Sequence, residues 1–182
     1  RVSAIKTQAG VLAQVFQRIE PFGGRKRGRP QEVILETIIA DSFNLFEEEI
    51  RRSLIRVTLP ISQHKVTVDA SEIQQVVVNL IQNSIHWLQE TERDNREIIV
   101  TVQQQKRGEP LEIIFSDSGP GVDEDDKAYI FDPYFSRRTD GVGLGLTLAG
   151  EIVSDYYGGR LELLDSGPLE GATFRIMLRE RV

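Results

Sequence analysis

Hydrophobic positions near the N-terminus recur with the period of a paired helix. The apolar side chains are spaced by three and four residues, at Val2, Ile5, Ala9, Leu12, Phe16 and Ile19. This narrow stripe predicts a helix that packs against another helix, although an amphipathic surface helix would show the same spacing. Pro21 and the glycines after it end the helix, and the basic run beyond them is typical of a solvated linker. We therefore predict a helical segment at 1–22, a basic linker at 23–30 and one domain at 31–182.

Helical and strand periods alternate after the linker. Helices are predicted near 30–52, 69–88, 123–130 and 144–157, and strands near 55–59, 66–68, 97–103, 111–116, 160–165 and 172–179. Asp69, with Glu72 three residues later, resembles a capping box and starts the most apolar of these helices. Because strands repeatedly follow one another directly, the order favours an α+β layer sandwich over a doubly wound parallel sheet.

Composition and charge exclude several classes of function. The chain has 182 residues, with 22 Lys and Arg against 28 Asp and Glu, and therefore a net charge of −6. A nucleic-acid module would carry a basic surplus, so we expect no nucleic-acid partner. The absence of cysteine excludes disulfides, thiolate metal sites and cysteine nucleophiles. No apolar run reaches membrane-spanning length, so we expect a cytoplasmic chain without membrane contact, although preceding sequence could anchor the full-length protein.

Two asparagines on the helix that follows Asp69 are candidate metal ligands. Asn79 and Asn83 are four residues apart, so their side chains lie on one helix face, one turn from each other. A carboxamide oxygen is a hard ligand that suits Mg²⁺ shared with substrate phosphates. Asparagines at this spacing are also common as buried hydrogen-bonding groups, and the pair alone does not decide between the two interpretations.

Two glycine motifs suggest a nucleotide. Asp117 ends an apolar strand and is followed by Gly119 and Gly121, so that a carboxylate could accept a hydrogen bond from an exocyclic amine such as that of adenine. A tight turn would have the same sequence. Further on, Gly141, Gly143 and Gly145 open a helix, where successive backbone N–H groups can cradle phosphate. The spacing is neither that of a P-loop nor that of a Rossmann fingerprint.

In this order the motifs resemble those of the histidine-kinase catalytic domain. Residues 72–84 resemble its N box, 117–121 its first glycine box, 131–135 its F box, 141–146 its second glycine box and 171–174 its closing strand. The resemblance implies the Bergerat ATP-binding fold shared by gyrase, Hsp90, histidine kinases and MutL. That fold is a two-layer α/β sandwich with helices on one face of a mixed sheet, here preceded by a short N-terminal helix.

The resemblance also implies a role for each matching position, with ATP and Mg²⁺ as the cofactors. Asn83 matches the asparagine that binds Mg²⁺, and Asn79 matches the supporting metal and catalytic position one turn earlier. Asp117 matches the aspartate that binds adenine. The other nucleotide-binding positions implied are Gly119, Gly121 and Thr173 at the adenine, and Gly141, Gly143, Gly145 and Leu146 at the phosphates.

Two positions depart from the family pattern. His86 stands where kinases often carry a catalytic Lys or Arg near the phosphates, and histidine supplies no fixed charge at neutral pH. The short polar stretch after Phe135 resembles the lid of nitrogen-sensor-type kinases, and Arg138 replaces the lysine that is common there. Trp87 either lines the adenine side or belongs to the core.

The residue at position 79 favours one branch of the superfamily. Its hydrolases carry a glutamate there to activate water, and asparagine cannot act as a base. The resemblance therefore implies a histidine kinase whose partners are a dimerisation and phospho-acceptor hairpin and a response regulator, in a full-length homodimer. Neither His64, which is expected to be solvated in a turn, nor His86 lies in an acceptor-like helix. The alternatives are an ATP-hydrolysing member and a nucleotide-gated interaction module.

Overall fold

A computed structural model of the chain describes residues 29–91, 94–104, 106, 109–139 and 141–179. The predicted helical segment at 1–22, and all of the predicted linker except its last two residues, lie outside the described residues. No helix in the described part is both long and apolar enough to cross a membrane.

The described residues form a mixed sheet covered by helices. The strands are β1 (Gln31–Ile34), β2 (Arg56–Thr58), β3 (Lys65–Val68), β4 (Glu97–Gln103), β5 (Leu111–Asp117), β6 (Arg160–Leu164) and β7 (Thr173–Leu178). The helices are α1 (Leu35–Asn44), α2 (Glu47–Arg52), α3 (Ala70–Glu90) and α4 (Gly145–Glu151), which continues as a π-helical turn over Ile152–Tyr156.

The main sheet has the strand order β2-β4-β5-β7-β6. Strand β2 is parallel to β4, and the other pairs are antiparallel, so the sheet is mixed. Strands β1 and β3 form a separate antiparallel ribbon. The predicted α+β class and the mixed sheet are therefore confirmed.

One hydrophobic core joins the helices to the sheet. Alternate residues of β4 and β5 point into it, among them Val100, Ile113 and Phe115, as the period of a strand requires. Helix α3 buries the face that carries Val76 and Leu80 in the same core. Burying a side chain of this size contributes about 1.5–3 kcal/mol, so α3 is held mainly by packing. This packing fixes the positions of the polar residues on its remaining face.

A tyrosine completes the N-terminus of α3. Asp69 caps the helix, and its side chain accepts a hydrogen bond from the Ser71 N–H at 2.9 Å, as predicted. In a capping box, Glu72 would bind the Asp69 N–H directly. Here the Tyr157 hydroxyl accepts that N–H at 3.1 Å and donates to Glu72 Oε2 at 2.7 Å. The two ends of the box are therefore joined through a residue that follows α4.

The predicted helix at 30–52 is wrong at its start and in its middle. Residues 31–34 form β1, in which Val33 faces Val66 of β3, because this distant strand supplies the backbone partners. The helical stretch that follows is then interrupted between α1 and α2, where the Phe46 N–H turns back to the Phe43 carbonyl at 2.9 Å. The predicted helix at 144–157 is an α-helix only from 145 to 151 and a π-helix after that.

The acidic segment at 123–130 is not a helix. It consists of successive turns, in which the Asp126 N–H binds the Asp123 carbonyl and the Tyr129 N–H binds the Asp126 carbonyl. The Asp126 side chain is buried, with 6% of its surface exposed. The predicted helix at 123–130 is therefore wrong, because successive turns bring the Asp126 carboxylate inward.

His64 is not merely solvated. Its backbone N–H donates to one carboxylate oxygen of Glu36 at 2.8 Å, and its ring Nδ1 lies 2.6 Å from the other. Burial by itself raises the pKa of Glu36, but hydrogen bonds from His64 and Ser62 outweigh it and hold the pKa below its usual value. His64 therefore fastens the segment between β2 and β3 to the start of α1.

Candidate functional site

A cavity of about 570 Å³ lies between α3 and the loops that follow β5. Most of the residues singled out from the sequence line it: Asn79, Asn83, Asp117, Gly121, Arg138, Gly141, Gly143, Gly145 and Leu146. Gln82, Trp87, Phe135 and Ala172 also face it. Residues separated by up to 95 positions in the sequence, from Asn79 to Phe174, thus share one cavity.

Three predicted residues lie just outside the cavity lining. Gly119 reaches the site through its N–H, which donates to Asp117 Oδ1 at 2.9 Å. Thr173 is buried, and its hydroxyl lies 2.8 Å from that of Ser116. The His86 ring packs edge-on against Trp87, with ring centres 4.9 Å apart. The roles assigned to these three residues remain predictions.

Asp117 is a fixed carboxylate in the wall of the cavity. It ends the central strand β5 and is 3% exposed. Its Oδ2 accepts the Ser84 hydroxyl at 2.6 Å, and its Oδ1 also accepts the Ala172 N–H at 3.2 Å. Burial raises the pKa of Asp117, and these hydrogen bonds counteract only part of the increase. A fixed acceptor in a partly apolar cavity can select a planar ligand with an exocyclic amine.

Glycine is required where the backbone crosses Asp117. A Cβ on Gly171 would lie 2.5 Å from both the Asp117 carbonyl oxygen and the Gly119 nitrogen. Gly121 has a φ of +82°, a conformation that L side chains rarely adopt. The loop can therefore approach a flat ligand closely beside Asp117.

Asn79 and Asn83 lie together on the cavity side of α3. The Asn79 Nδ2 is buried and has no hydrogen-bond partner among the described residues. On the opposite wall, a Cβ on Gly145 would lie 3.2 Å from Asn79 Oδ1, so the start of α4 closes on this amide. An unpaired amide donor and a neighbouring carboxamide oxygen fit a phosphate and the Mg²⁺ that accompanies it.

The loop that joins the F-box region to α4 is clipped at its base. The Tyr134 N–H donates to the Gly143 carbonyl at 2.8 Å, and both residues have positive φ, +67° and +73°. A Cβ on Gly143 would lie 2.5 Å from the Phe135 carbonyl oxygen, so only glycine fits there. This clip holds Gly141, Gly143 and Gly145 against the cavity.

Ser136–Arg138, here called the lid, also contacts the cavity. The Ser136 hydroxyl accepts the Arg138 N–H at 3.1 Å, which folds the lid into a tight turn. Arg137 forms a bidentate ion pair with Asp126, at 2.8 Å from Nε and 2.6 Å from Nη2. The hydrogen bonds from Arg137 hold the pKa of Asp126 below its usual value. The lid is therefore fixed by polar contacts in this structure.

Sequence reasoning missed several residues that shape the site. Ser84 holds Asp117, and its signal was a small polar side chain next to Asn83 on the apolar side of α3. Ala172 contributes only its backbone N–H, which no side-chain pattern could indicate. The signal for Asp126 was weaker still, because it stands in a run of four acidic residues.

Comparisons with known proteins match most of the chain to one family. Residues 68–182 match a family model described as histidine kinase-, DNA gyrase B-, and HSP90-like ATPase. The chain is 28% identical over 173 residues to sensor protein TdiS of Thauera aromatica. The aligned region covers 94% of this chain and 31% of TdiS. It thus spans less than a third of that relative.

Solved structures of a histidine kinase have the same fold. The nucleotide-free catalytic domain of histidine kinase ThkA has a TM-score of 0.72 and 29% identity, over 84% of this chain and 97% of that one. ThkA in complex with response regulator protein TrrA has a TM-score of 0.75 and 25% identity, over 99% of this chain and 50% of that one.

Proposed function

Because this chain belongs to the family of histidine kinase-, DNA gyrase B- and HSP90-like ATPases, we propose that it is the ATP-binding catalytic domain of a sensor histidine kinase. It binds Mg·ATP and donates the γ-phosphoryl group to a histidine outside this chain. In that reaction the bond between the γ-phosphorus and the bridging oxygen breaks, a phosphorus–nitrogen bond forms on the acceptor imidazole, and ADP leaves. The observation that carries the proposal is the carboxamide of Asn79 at the phosphate end of the cavity.

The side chain at position 79 distinguishes a phosphoryl-transfer site from a hydrolytic site. A hydrolase needs a base within reach of water near the γ-phosphate. Asn79 lies one turn before Asn83, faces the cavity and has a buried Nδ2 without a hydrogen-bond partner in the described part of the chain. An amide cannot take a proton from water, but its N–H can donate to a phosphate oxygen. The site therefore favours positioning of the nucleotide over activation of water.

The opposite end of the cavity suits adenine. The carboxylate of Asp117 accepts the exocyclic amine, while Ser84 and the Gly119 and Ala172 N–H groups keep it oriented. Trp87, which lies beside Gly119, supplies apolar surface for the base. Binding energy gained here orients the triphosphate along α3 toward the glycine loop.

Mg²⁺ fits the donor set at the phosphate end. Among the described residues no three His, Cys, Asp or Glu side chains are grouped as a metal site. The Asn83 carboxamide oxygen would hold the ion together with phosphate oxygens and water, and Asn79 would support it. Bound there, the ion neutralises charge that develops on the phosphates. Asn79 and Asn83 orient the phosphate chain, and Gly143 keeps the backbone close to it.

The phospho-acceptor is proposed to lie outside this chain. The sequence contains two histidines, His64 and His86. The first is held by Glu36, and the second packs against Trp87 beside the cavity and not in its lining. In-line transfer needs an acceptor facing the γ-phosphate, and neither ring fits that requirement.

The same proposal covers the rest of the protein. The segment at 1–22 would belong to the dimerisation and phospho-acceptor hairpin of a homodimer, and 23–30 would link it to the domain at 31–182. A response regulator would accept the phosphoryl group, as the complex of ThkA with its response regulator suggests. We place the domain in the cytoplasm, where ATP is available.

A labelling experiment tests the proposal. The chain is incubated with Mg²⁺ and ATP labelled on the γ-phosphate, and binding is followed by the fluorescence of Trp87, the single tryptophan. We expect ATP to bind, hydrolysis to be slow and the chain to stay unlabelled. A longer form of the protein that includes the proposed hairpin should acquire acid-labile label.

The outcomes separate the alternatives. Acid-labile label on the chain alone, lost in His64→Gln or His86→Gln, would assign the acceptor to that residue and contradict the proposal. Rapid hydrolysis without label would indicate an ATPase. No fluorescence response to ATP would contradict the nucleotide site itself.

A further inference from the structure

Asp126 is a buried charge that the proposed reaction does not use. It lies in the cavity wall with 6% of its surface exposed, although the residues on either side of it, Asp125 and Lys127, are more accessible. A carboxylate is not buried at this depth without a compensating partner. Here the partner is the guanidinium of Arg137 in the lid.

The geometry of this ion pair is specific to arginine. Two parallel N–H groups reach the two carboxylate oxygens at 2.6 and 2.8 Å, which fixes the orientation of the guanidinium plane. The same guanidinium lies 6.0 Å from the centre of the Phe135 ring. Arg137 is thus held between an acidic turn and the aromatic residue at the root of the lid.

Arg137 could serve the nucleotide in two ways. It could leave Asp126 and bind a phosphate, or stay and hold the lid in place. Leaving would strand a carboxylate that is almost fully buried, which is a severe penalty. The attraction that Arg137 would gain at a phosphate is small, because its side chain is 64% exposed and an ion pair in water is weak. Because the cost of stranding Asp126 exceeds the gain at a phosphate, we expect Arg137 to stay paired with Asp126 when nucleotide binds.

We propose that Asp126 is a positioning residue that fixes the lid through Arg137, so that the lid is shaped before nucleotide binds. This inference rests on the proposed function, because it assigns the lid to the phosphates of ATP. The lid is then held at three places: Asp126 holds Arg137, Ser136 accepts the Arg138 N–H, and the Tyr134–Gly143 hydrogen bond closes the base. Preorganisation removes part of the ordering cost of binding.

The test compares a triphosphate with a ligand that lacks phosphates. Affinities of the chain for Mg·ATP and for adenosine are measured through Trp87 fluorescence. We expect Asp126→Asn to weaken Mg·ATP binding roughly tenfold, the scale of one lost charge-assisted contact, with adenosine binding unchanged. Asp126→Glu keeps the carboxylate and should restore much of the affinity. Arg137→Lys keeps the charge but loses the two parallel N–H donors, and its affinities should resemble those of Asp126→Asn.

Asp125→Asn is the matched control. It removes a carboxylate charge from the exposed side chain next to Asp126, and it should leave the affinities for Mg·ATP and adenosine unchanged. The double variant Asp126→Asn, Arg137→Gln should bind Mg·ATP no more weakly than Asp126→Asn alone, because both substitutions break the same contact.

Two results would overturn the inference. Tighter Mg·ATP binding in Asp126→Asn would mean that Arg137 is a phosphate ligand that Asp126 holds back, and unchanged binding would mean that this ion pair does not shape the lid for ATP. Parallel losses of adenosine and Mg·ATP affinity would mean that Asp126 only supports the fold. A wild-type chain that binds neither ligand would instead refute the proposed function, and so the two failures are distinguishable.

Discussion

The hydroxyl of Tyr157 donates to the carboxylate of Glu72 at 2.7 Å, across 85 positions of sequence. It also accepts the backbone N–H of Asp69, so it connects the segment after α4 to the first turn of α3. Burial raises the pKa of Tyr157 well above its usual range, and the hydroxyl stays protonated as the donor. Both helices contribute walls of the cavity, and this contact fixes one relative to the other.

Replacing Tyr157 by Phe should destabilise the protein by about 1–2 kcal/mol, because a buried N–H and a carboxylate lose their partner. Urea unfolding gives the free energy. Tyr129→Phe, at a position that is 52% exposed, is the control and should change it little. Equal unfolding free energies for Tyr157→Phe and the wild type would show that water replaces the hydroxyl.

Asn83→Ala should weaken Mg·ATP binding much more than binding of ATP in the presence of a chelator. The reason is that its carboxamide oxygen is proposed to bind the metal directly. Calorimetry with and without Mg²⁺ measures the difference, and Gln89→Ala, on the exposed end of the same helix, is the control. An unchanged Mg²⁺ dependence would refute the assignment.

Asp117→Asn should cost roughly 1.5–3 kcal/mol of ATP binding, the scale of a hydrogen bond to a charged group. It should also reduce the preference for ATP over GTP, because the exocyclic amine of adenine loses its charged acceptor. Competition binding with both nucleotides measures this. Asp165→Asn removes an exposed carboxylate outside the cavity lining and should alter neither value. The base assignment fails if Asp117→Asn keeps the wild-type preference.

Adenosine binding should depend on pH through Asp117. The ionised carboxylate accepts the amine, so protonation weakens binding. Because burial raises the pKa above its ordinary value of 3.8, the loss on acidification should begin at a higher pH than for an exposed aspartate. Titrating adenosine at descending pH tests this. The profile of Asp117→Asn should be flat over the same range, and a wild-type profile equally flat would contradict the prediction.

Gly143→Ala should damage the phosphate end of the site. A Cβ there meets backbone atoms at 2.5 Å and requires a positive φ, so the clip with Tyr134 must open. We expect a stability loss of about 1–3 kcal/mol together with weaker Mg·ATP binding. In Gly150→Ala the new Cβ lies in helix α4 and meets no other described part of the chain within 4 Å, so stability should rise by up to about 1 kcal/mol. Similar values for both variants would argue against the clip.

Local patterns predicted the parts of the fold that depend on local sequence. The period of α3 and the strands β4 and β5 are examples, because one apolar face decides each of them. Strand β1 was predicted as helix because the helical spacing of Leu35, Ile38 and Ile39 follows it directly, and only its pairing with β3 shows that it is a strand. Likewise, the turns at Asp126 depend on an arginine eleven positions later.

In the site, too, some features follow from local sequence and others depend on distant contacts. Glycines and polar residues at the ends of strands and helices mark the cavity, because their backbone geometry and chemistry are visible in sequence. The contacts that hold them are not: Ser84 and the Ala172 N–H meet Asp117 only after the sheet has formed. Tyr157 likewise gave no signal, since its partners lie on another helix.

The position of β5 between β4 and β7 has a consequence for synthesis on the ribosome. Asp117 is reached by the Ala172 N–H, and Ser116 pairs with Thr173 at the start of the last strand of the sheet. Every other wall of the cavity is translated before this strand. A nascent chain that lacks β7 therefore has an incomplete cavity around Asp117, so we expect a ligand of this cavity to stabilise the fold only after β7 has emerged.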